Sequence, residues 1–267
     1  MKKKELEKGA DASLSVVNIR PAQITAFFWI CISALLVANI TVLILKFGFH
    51  HHSLRGMTKA FFFDNEANYP TMYSGLAIIF AASLLWKISL IKSETIANRR
   101  SWRFLSLLFL FLAADELFSL HEFLITPTKH MLGSLSFDSG FLYFAWFVPY
   151  VLLMLFCGVF LIRFFFRLPQ KTRVRFVLAG IVFVAGAVGM EMIGGNYWQA
   201  QGWDVHGEDD IDLTYAAIVT IEELLEMVGI ALFVHALSDY YLSRKSYSFQ
   251  VNLVSQPSDA SSHSPLA

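Results

Sequence analysis

Long apolar runs alternate with short polar connections along the chain. Six runs reach the roughly 20 residues that a helix rising 1.5 Å per residue needs to cross about 30 Å of hydrocarbon. They are residues 26–45, 72–91, 102–125, 141–166, 174–197 and 213–237. The pattern predicts an all-α polytopic membrane protein with six transmembrane helices in one bundle over residues 26–242. Residues 1–25 read as a cytoplasmic N-terminal segment. Because this leader is long and no A-x-A site follows the first run, that run reads as a retained signal anchor. Residues 243–267, rich in Ser, Gln, Asn and Pro, lack helical periodicity and read as a disordered cytoplasmic tail.

Composition excludes more than it assigns. AVILMFWYC residues make up 56% of the 267 positions and charged residues 16%, against roughly 25% charged in a soluble domain. The lipid bilayer is therefore the first partner. Basic and acidic residues balance at 21 each, so no net field attracts nucleic acid. Cys31 and Cys157 both lie in apolar runs, where neither a disulfide framework nor a CxxC pair is readable.

Lys and Arg set the orientation, since they gather in cytoplasmic connections. Lys2, Lys3, Lys4, Lys8 and Arg20 lead the chain; Lys92, Arg99 and Arg100 follow the second run; Arg167, Lys171 and Arg173 follow the fourth. The other connections hold Arg55 and Lys59, then Lys129 alone, then none between residues 197 and 213. Lys46, at the outer end of the first run, is the exception. The expected arrangement is a protein integral to the cell (inner) membrane with both termini cytoplasmic.

The informative residues are acids placed where lipid should be. The third run carries Asp115, Glu116, His121 and Glu122; the fifth carries Glu191; the sixth carries Glu222, Glu223 and Glu226, with His235 further on. An acid at the bilayer centre costs about 2.5 to 3.5 kcal/mol. These side chains must therefore face a bundle interior or wet cavity, be protonated, or hold cations. At 100° per residue Asp115, Ser119 and Glu122 share one stripe and Glu222, Glu226 and Gly229 another, while His121 projects away from Asp115. Asp115 and Glu222 fall roughly 15 Å, and Glu226 about 20 Å, below the outer helix ends. Outer connections add Asp64, Glu66 and Asn68, then Asp204, His206, Glu208, Asp209, Asp210 and Asp212.

Three functions are compatible with this pattern. The first is divalent-metal binding by Asp115, His121, Glu122, Glu191, Glu222, Glu223 and Glu226, with Glu66 and Asn68 at the outer mouth. Carboxylates with few histidines suit Mn, Fe, Zn, Ca or Mg, leaving the metal's identity open. With an open coordination position such a site would make a metal-dependent membrane enzyme, although no catalytic residue is assigned. The second is a proton- or cation-conducting path along the graded acids. The third is a scaffold or partner subunit whose polar core fixes helix register. His50, His51 and His52 read as an interfacial helix cap, His235 as an interhelical histidine, and the Phe and Trp residues as lipid-facing.

The strings Asp115-Glu116-Leu-Phe-Ser-Leu-His121-Glu122 and Glu222-Glu223-Leu-Leu-Glu226-Met, with Glu66-Ala-Asn68-Tyr-Pro70, resemble a set of bacterial polytopic membrane proteins for which the resemblance implies no activity. Glu66-x-Asn68-Tyr69 and Asp115-Glu116-Leu117 are also similar to short motifs of alkaline ceramidases, membrane hydrolases that use calcium and zinc. Phe104 and the 222–226 stretch stand where such enzymes carry histidines. That resemblance accordingly implies cation ligands at Glu66 and Asn68 rather than a zinc hydrolase centre.

The charge asymmetry gives a direct test of topology. Reporter fusions after Arg100 and Lys171 are expected to read cytoplasmic, and fusions within residues 61–69 and 204–210 external. Inversion at two or more points would reverse the side from which the acids are reached.

Overall fold

The computed structural model describes residues 20–49, 56–134, 140–203 and 211–254, and all regular structure among them is helical. Helix α1 (Pro21–Leu43) starts at a Pro in its first turn, where the missing N–H is harmless, and runs on through a π turn (Ile44–Gly48). After the short α2 (Met57–Phe61) come α3 (Tyr69–Ser89) and α4 (Ile96–Phe118), which pack side by side. A 3₁₀ turn (Leu120–Leu124) leads into α5 (Ile125–Ser134). Next is α6 (Phe147–Arg167). Helices α7 (Gln170–Val184) and α8 (Glu191–Gln201) are joined by a π turn (Ala185–Met190), and α9 (Leu213–Val254) ends the described chain.

Four stretches are long and apolar enough to cross a membrane: Pro21–Gly48, Tyr69–Ser89, Phe147–Arg167 and Gln170–Gln201. A fifth arises if Ile96–Phe118 and Leu120–Gly133, bent by 87°, count as one span. The six-run pattern departs from this at two points. The third run does not continue as a helix to residue 125: α4 stops at Phe118, and Ser119 takes the left-handed conformation (φ 47°, ψ 44°). The sixth run, in the last helix, is not among these stretches: it carries Glu222, Glu223 and Glu226, three acids within little more than one turn. At the end of the described chain α9 continues through residues 243–254.

Helix α9 is the axis of the molecule, touching α1, α3, α7 and α8. Met227, Ile230, Ala231, Val234 and Leu237 fill one apolar core with Leu85 and Ile88 of α3 and Trp102 of α4. Trp102 packs edge-on against Phe164 of α6, with ring centroids 4.7 Å apart. By contrast Leu152, Leu155, Phe156, Val159 and Phe160 of α6 are exposed, as suits a helix facing lipid.

Polar pairs fix the position of α9. At its N-terminal half, fully buried Asn39 of α1 donates to Thr220 Oγ1 (2.9 Å) and accepts from the Phe63 N–H (3.1 Å). At the other end buried Glu94, in the α3–α4 connection, accepts from the Tyr240 hydroxyl and from Asn98 Nδ2 (3.1 Å), with Arg244 Nε 3.6 Å away. His235 bonds Thr25 Oγ1 of α1 at 2.8 Å, the interhelical role expected of it. Both cysteines are free thiols.

Close approach of α7 to α9 depends on Gly229. A Cβ there would lie 2.7 Å from Phe183 N and 2.8 Å from its Cα, both backbone atoms. Gly180 of α7, in contrast, has nothing within 4 Å of an added Cβ. Gly229→Ala is expected to destabilise the protein by about 1 to 3 kcal/mol, and Gly180→Ala to leave it unchanged or more stable. Thermal unfolding of the detergent-solubilised variants checks this, and equal midpoints would show that α7 and α9 do not pack this closely.

Candidate functional site

The glutamates of α9 face the π turn that separates α7 from α8. A Cβ at Gly186 in that turn would come within 2.7 Å of Glu222 O and 3.0 Å of Glu226 Cγ, so the absence of a side chain brings the two helices together at the acids. The extra residue of a π turn shifts helical phase and leaves Glu191 immediately after it as the first residue of α8. Glu191 and Glu222 border the same cavity, where neighbouring carboxyls repel unless a proton or a cation lies among them. Trp146 Nε1, just ahead of α6, donates to Glu191 Oε1 at 2.6 Å.

The second wall is the broken end of α4. Buried Asp115 accepts from the Tyr150 hydroxyl of α6 at 2.7 Å, and His121 Nδ1 lies 3.4 Å from its other oxygen. The expectation that His121 projects away from Asp115 is thereby corrected. It assumed one unbroken helix, whereas the left-handed residue Ser119 folds the chain back so that His121 covers Asp115 and lies 4.5 Å from the Trp146 ring. The shared stripe of Asp115, Ser119 and Glu122 fails for the same reason. Ser119 Oγ instead donates to Glu66 Oε2 at 2.6 Å.

Backbone strain gathers around these groups. The described non-glycine residues with positive φ are Ala67, Ser119 and Ala145, each within two residues of a polar group of the site: Glu66, His121 and Trp146. A left-handed residue costs about 1 to 2 kcal/mol, and such strain clusters where surrounding contacts fix functional side chains.

These groups enclose one cavity of about 760 Å³, within the roughly 300 to 1,000 Å³ usual for ligand sites. Asp115, Glu116, Glu191, Glu222, Glu223 and Glu226 line its interior, and Asp64, Glu66 and Glu122 also border it. Glu66 and Glu122 are exposed, while Glu222, Glu223 and Glu226 are half-buried. The basic lining residues are Lys46 and His121. Lys46 sits over the Phe62 ring at 4.5 Å, so the outer-end lysine has a place on the chamber wall.

All seven intramembrane residues expected to form a site, with Glu66, border this cavity. Asn68 does not: it is buried, caps α3 by accepting from Thr71 N (2.9 Å), and donates to Phe62 O (2.7 Å). Trp146 and Tyr150 were missed because an interfacial aromatic and a functional donor look alike in sequence. His50, His51 and His52, and Asp204, His206, Glu208, Asp209 and Asp210, lie outside the described residues. Asp212 caps α9 by accepting from Tyr215 N (2.8 Å) and also accepts from the Tyr197 hydroxyl (2.6 Å). Among the described residues no three His, Cys, Asp or Glu side chains are spaced to hold a metal ion. The carboxyls as arranged thus surround a space without forming a compact coordination shell.

The fold and site define an all-helical protein built around an internal carboxylate chamber. Residues 25–240 match the family described as a domain of unknown function, DUF8692, and the chain belongs to that family. No curated protein and no solved structure matches the chain. The short likeness to alkaline ceramidases gains no support from these comparisons.

Tyr150→Phe is expected to destabilise the protein by about 1 to 3 kcal/mol by removing the donor to buried Asp115. Tyr69→Phe, at an exposed position, serves as the neutral control. Equal loss in both variants, read by denaturant unfolding in detergent, would remove Tyr150 from the wall.

Proposed function

We propose that this is an integral membrane protein whose carboxylate chamber binds a cation. The observation that carries this reading is the lining itself: nine acidic residues against Lys46 and His121 around one cavity. Like charges crowded in a low-dielectric interior repel, and a cation relieves both the repulsion and the loss of hydration. The chain crosses the inner membrane six times with both termini cytoplasmic, the bent α4–α5 pair and α9 supplying the third and sixth crossings. The chamber then opens outward.

Two kinds of cation fit the dispersed carboxyls. A hydrated divalent metal keeps several waters and needs only one or two carboxylates, and an organic ammonium needs no coordination shell. Glu191, Glu222 and Glu226 are the groups proposed to hold either one, Asp115 and His121 frame the opposite wall, and Glu66 and Glu122 attract the cation at the mouth. Conduction is disfavoured because the wall beyond Glu226 becomes apolar, with Phe109, Phe176, Ile230 and Phe233 around the next cavity.

Titration of purified protein with Mn²⁺, Mg²⁺, Ca²⁺, Zn²⁺ and propylammonium, read by thermal stability and calorimetry, tests the reading and separates the two cation types. At least one is expected to stabilise saturably, by about 2.7 kcal/mol at a hundredfold excess over Kd. Affinity should fall at least tenfold in Glu222→Gln/Glu226→Gln. The absence of saturable binding by any of them would overturn the proposal. Sealed proteoliposomes are expected to show no sustained proton or cation flux; flux abolished by Glu226→Gln would favour a conducting path.

A further inference from the structure

Next to the carboxylate chamber lies a second, half-open cleft of about 460 Å³, lined by α3, α4, α6, α7 and α9 and the short α6–α7 connection. Its lining is almost wholly hydrocarbon, and it shares Ile78, Leu112, Met154 and Phe183 with the chamber. The two cavities therefore meet across a common wall. Helix α6 stands away from the bundle here, so the cleft opens at the surface between α6 and α7. Phe147, Cys157 and Phe164 are its buried residues, and Gly158 of α6 and Gly180 of α7, both exposed, border the open cleft with nothing within 4 Å of an added Cβ.

From this juxtaposition we infer that the protein binds an amphiphile, with an ammonium head among the carboxyls of the chamber and an extended alkyl chain in the apolar cavity. The inference rests on the cation reading above and names the class of cation. An apolar cleft of that size, open at its side, admits hydrocarbon rather than water, which finds no hydrogen-bonding partners on such a wall. The acidic lining selects a positively charged head over an anionic one. With the chamber opening outward, head and chain lie in the order in which a lipid of the outer leaflet presents them, so the ligand can enter from the bilayer without inverting.

Photolabelling of the full chain in phosphatidylcholine nanodiscs tests this, using hexadecylamine with a diazirine on its chain and hexadecanol with the same group as the neutral probe. The amine is expected to label Cys157, Phe164, Phe176 or Ile230, to be displaced by unlabelled hexadecylamine, and to exceed the alcohol at least tenfold. Gly158→Leu/Gly180→Leu, which fills the apolar cavity, should reduce amine labelling at least tenfold while propylammonium binding stays at the wild-type level. Retained propylammonium binding also shows that the filled variant is folded; Gly180→Leu alone replaces it if the double variant does not fold. Labelling that is insensitive to filling, or confined to outward-facing Phe156 and Val159, overturns the inference and leaves the cation reading to its own titration. Equal labelling by amine and alcohol, with no binding of propylammonium, overturns both.

Discussion

A carboxylate left in hydrocarbon costs about 2.5 to 3.5 kcal/mol on the insertion scale, and α9 places Glu222, Glu223 and Glu226 within little more than a turn of one another. A helix of this kind is stable only where other helices enclose its acidic face. The architecture follows from that requirement. Helix α9 is the axis, Asn39 and Glu94 hold its two halves in register, and Gly186 lets the neighbouring rod come close enough to cover Glu222 and Glu226. Donors then gather on the facing side, with Trp146 on Glu191 and Tyr150 and His121 around Asp115.

The same requirement explains why the helices are irregular where they meet the chamber. A straight α4 would carry His121 away from Asp115, and a π-free rod would present Glu191 at another phase. Ser119 in the left-handed region and the Ala185–Met190 π turn both redirect polar side chains inward. They trade local backbone energy for the placement of charge. Beyond the acids the helices part again, leaving an apolar cleft between α6 and α7.

Much of this was legible in the sequence. Hydrophobic run lengths pointed to the helical class, and acids set within apolar runs pointed to the residues that share a cavity. Other features had no local signal. The break at Ser119 carries neither Gly nor Pro, and the nearest punctuation is Pro127 in the first turn of α5. Projection along an ideal helix therefore misplaced His121. Asn68 resembled a ligand in sequence, yet its amide is used in capping α3. Trp146 and Tyr150 belong to a residue class that ordinarily marks the membrane interface, and only tertiary packing separates the two roles. The continuation of α9 past residue 243 has no counterpart in side-chain periodicity.

The central claim is that crowded carboxyls in one chamber exchange protons for a cation. Proton release on cation binding measures this most directly, because carboxyls that share protons must give them up when a positive charge takes their place. Adding a saturating cation to purified protein in weakly buffered solution at neutral pH is predicted to release protons, with infrared difference spectra showing loss of protonated-carboxyl absorbance and gain of carboxylate absorbance. Both signals should be diminished in Glu222→Gln/Glu226→Gln. Saturable cation binding with no proton release and no change in the carboxyl bands would contradict the account, since the cation would then be held somewhere other than among these glutamates.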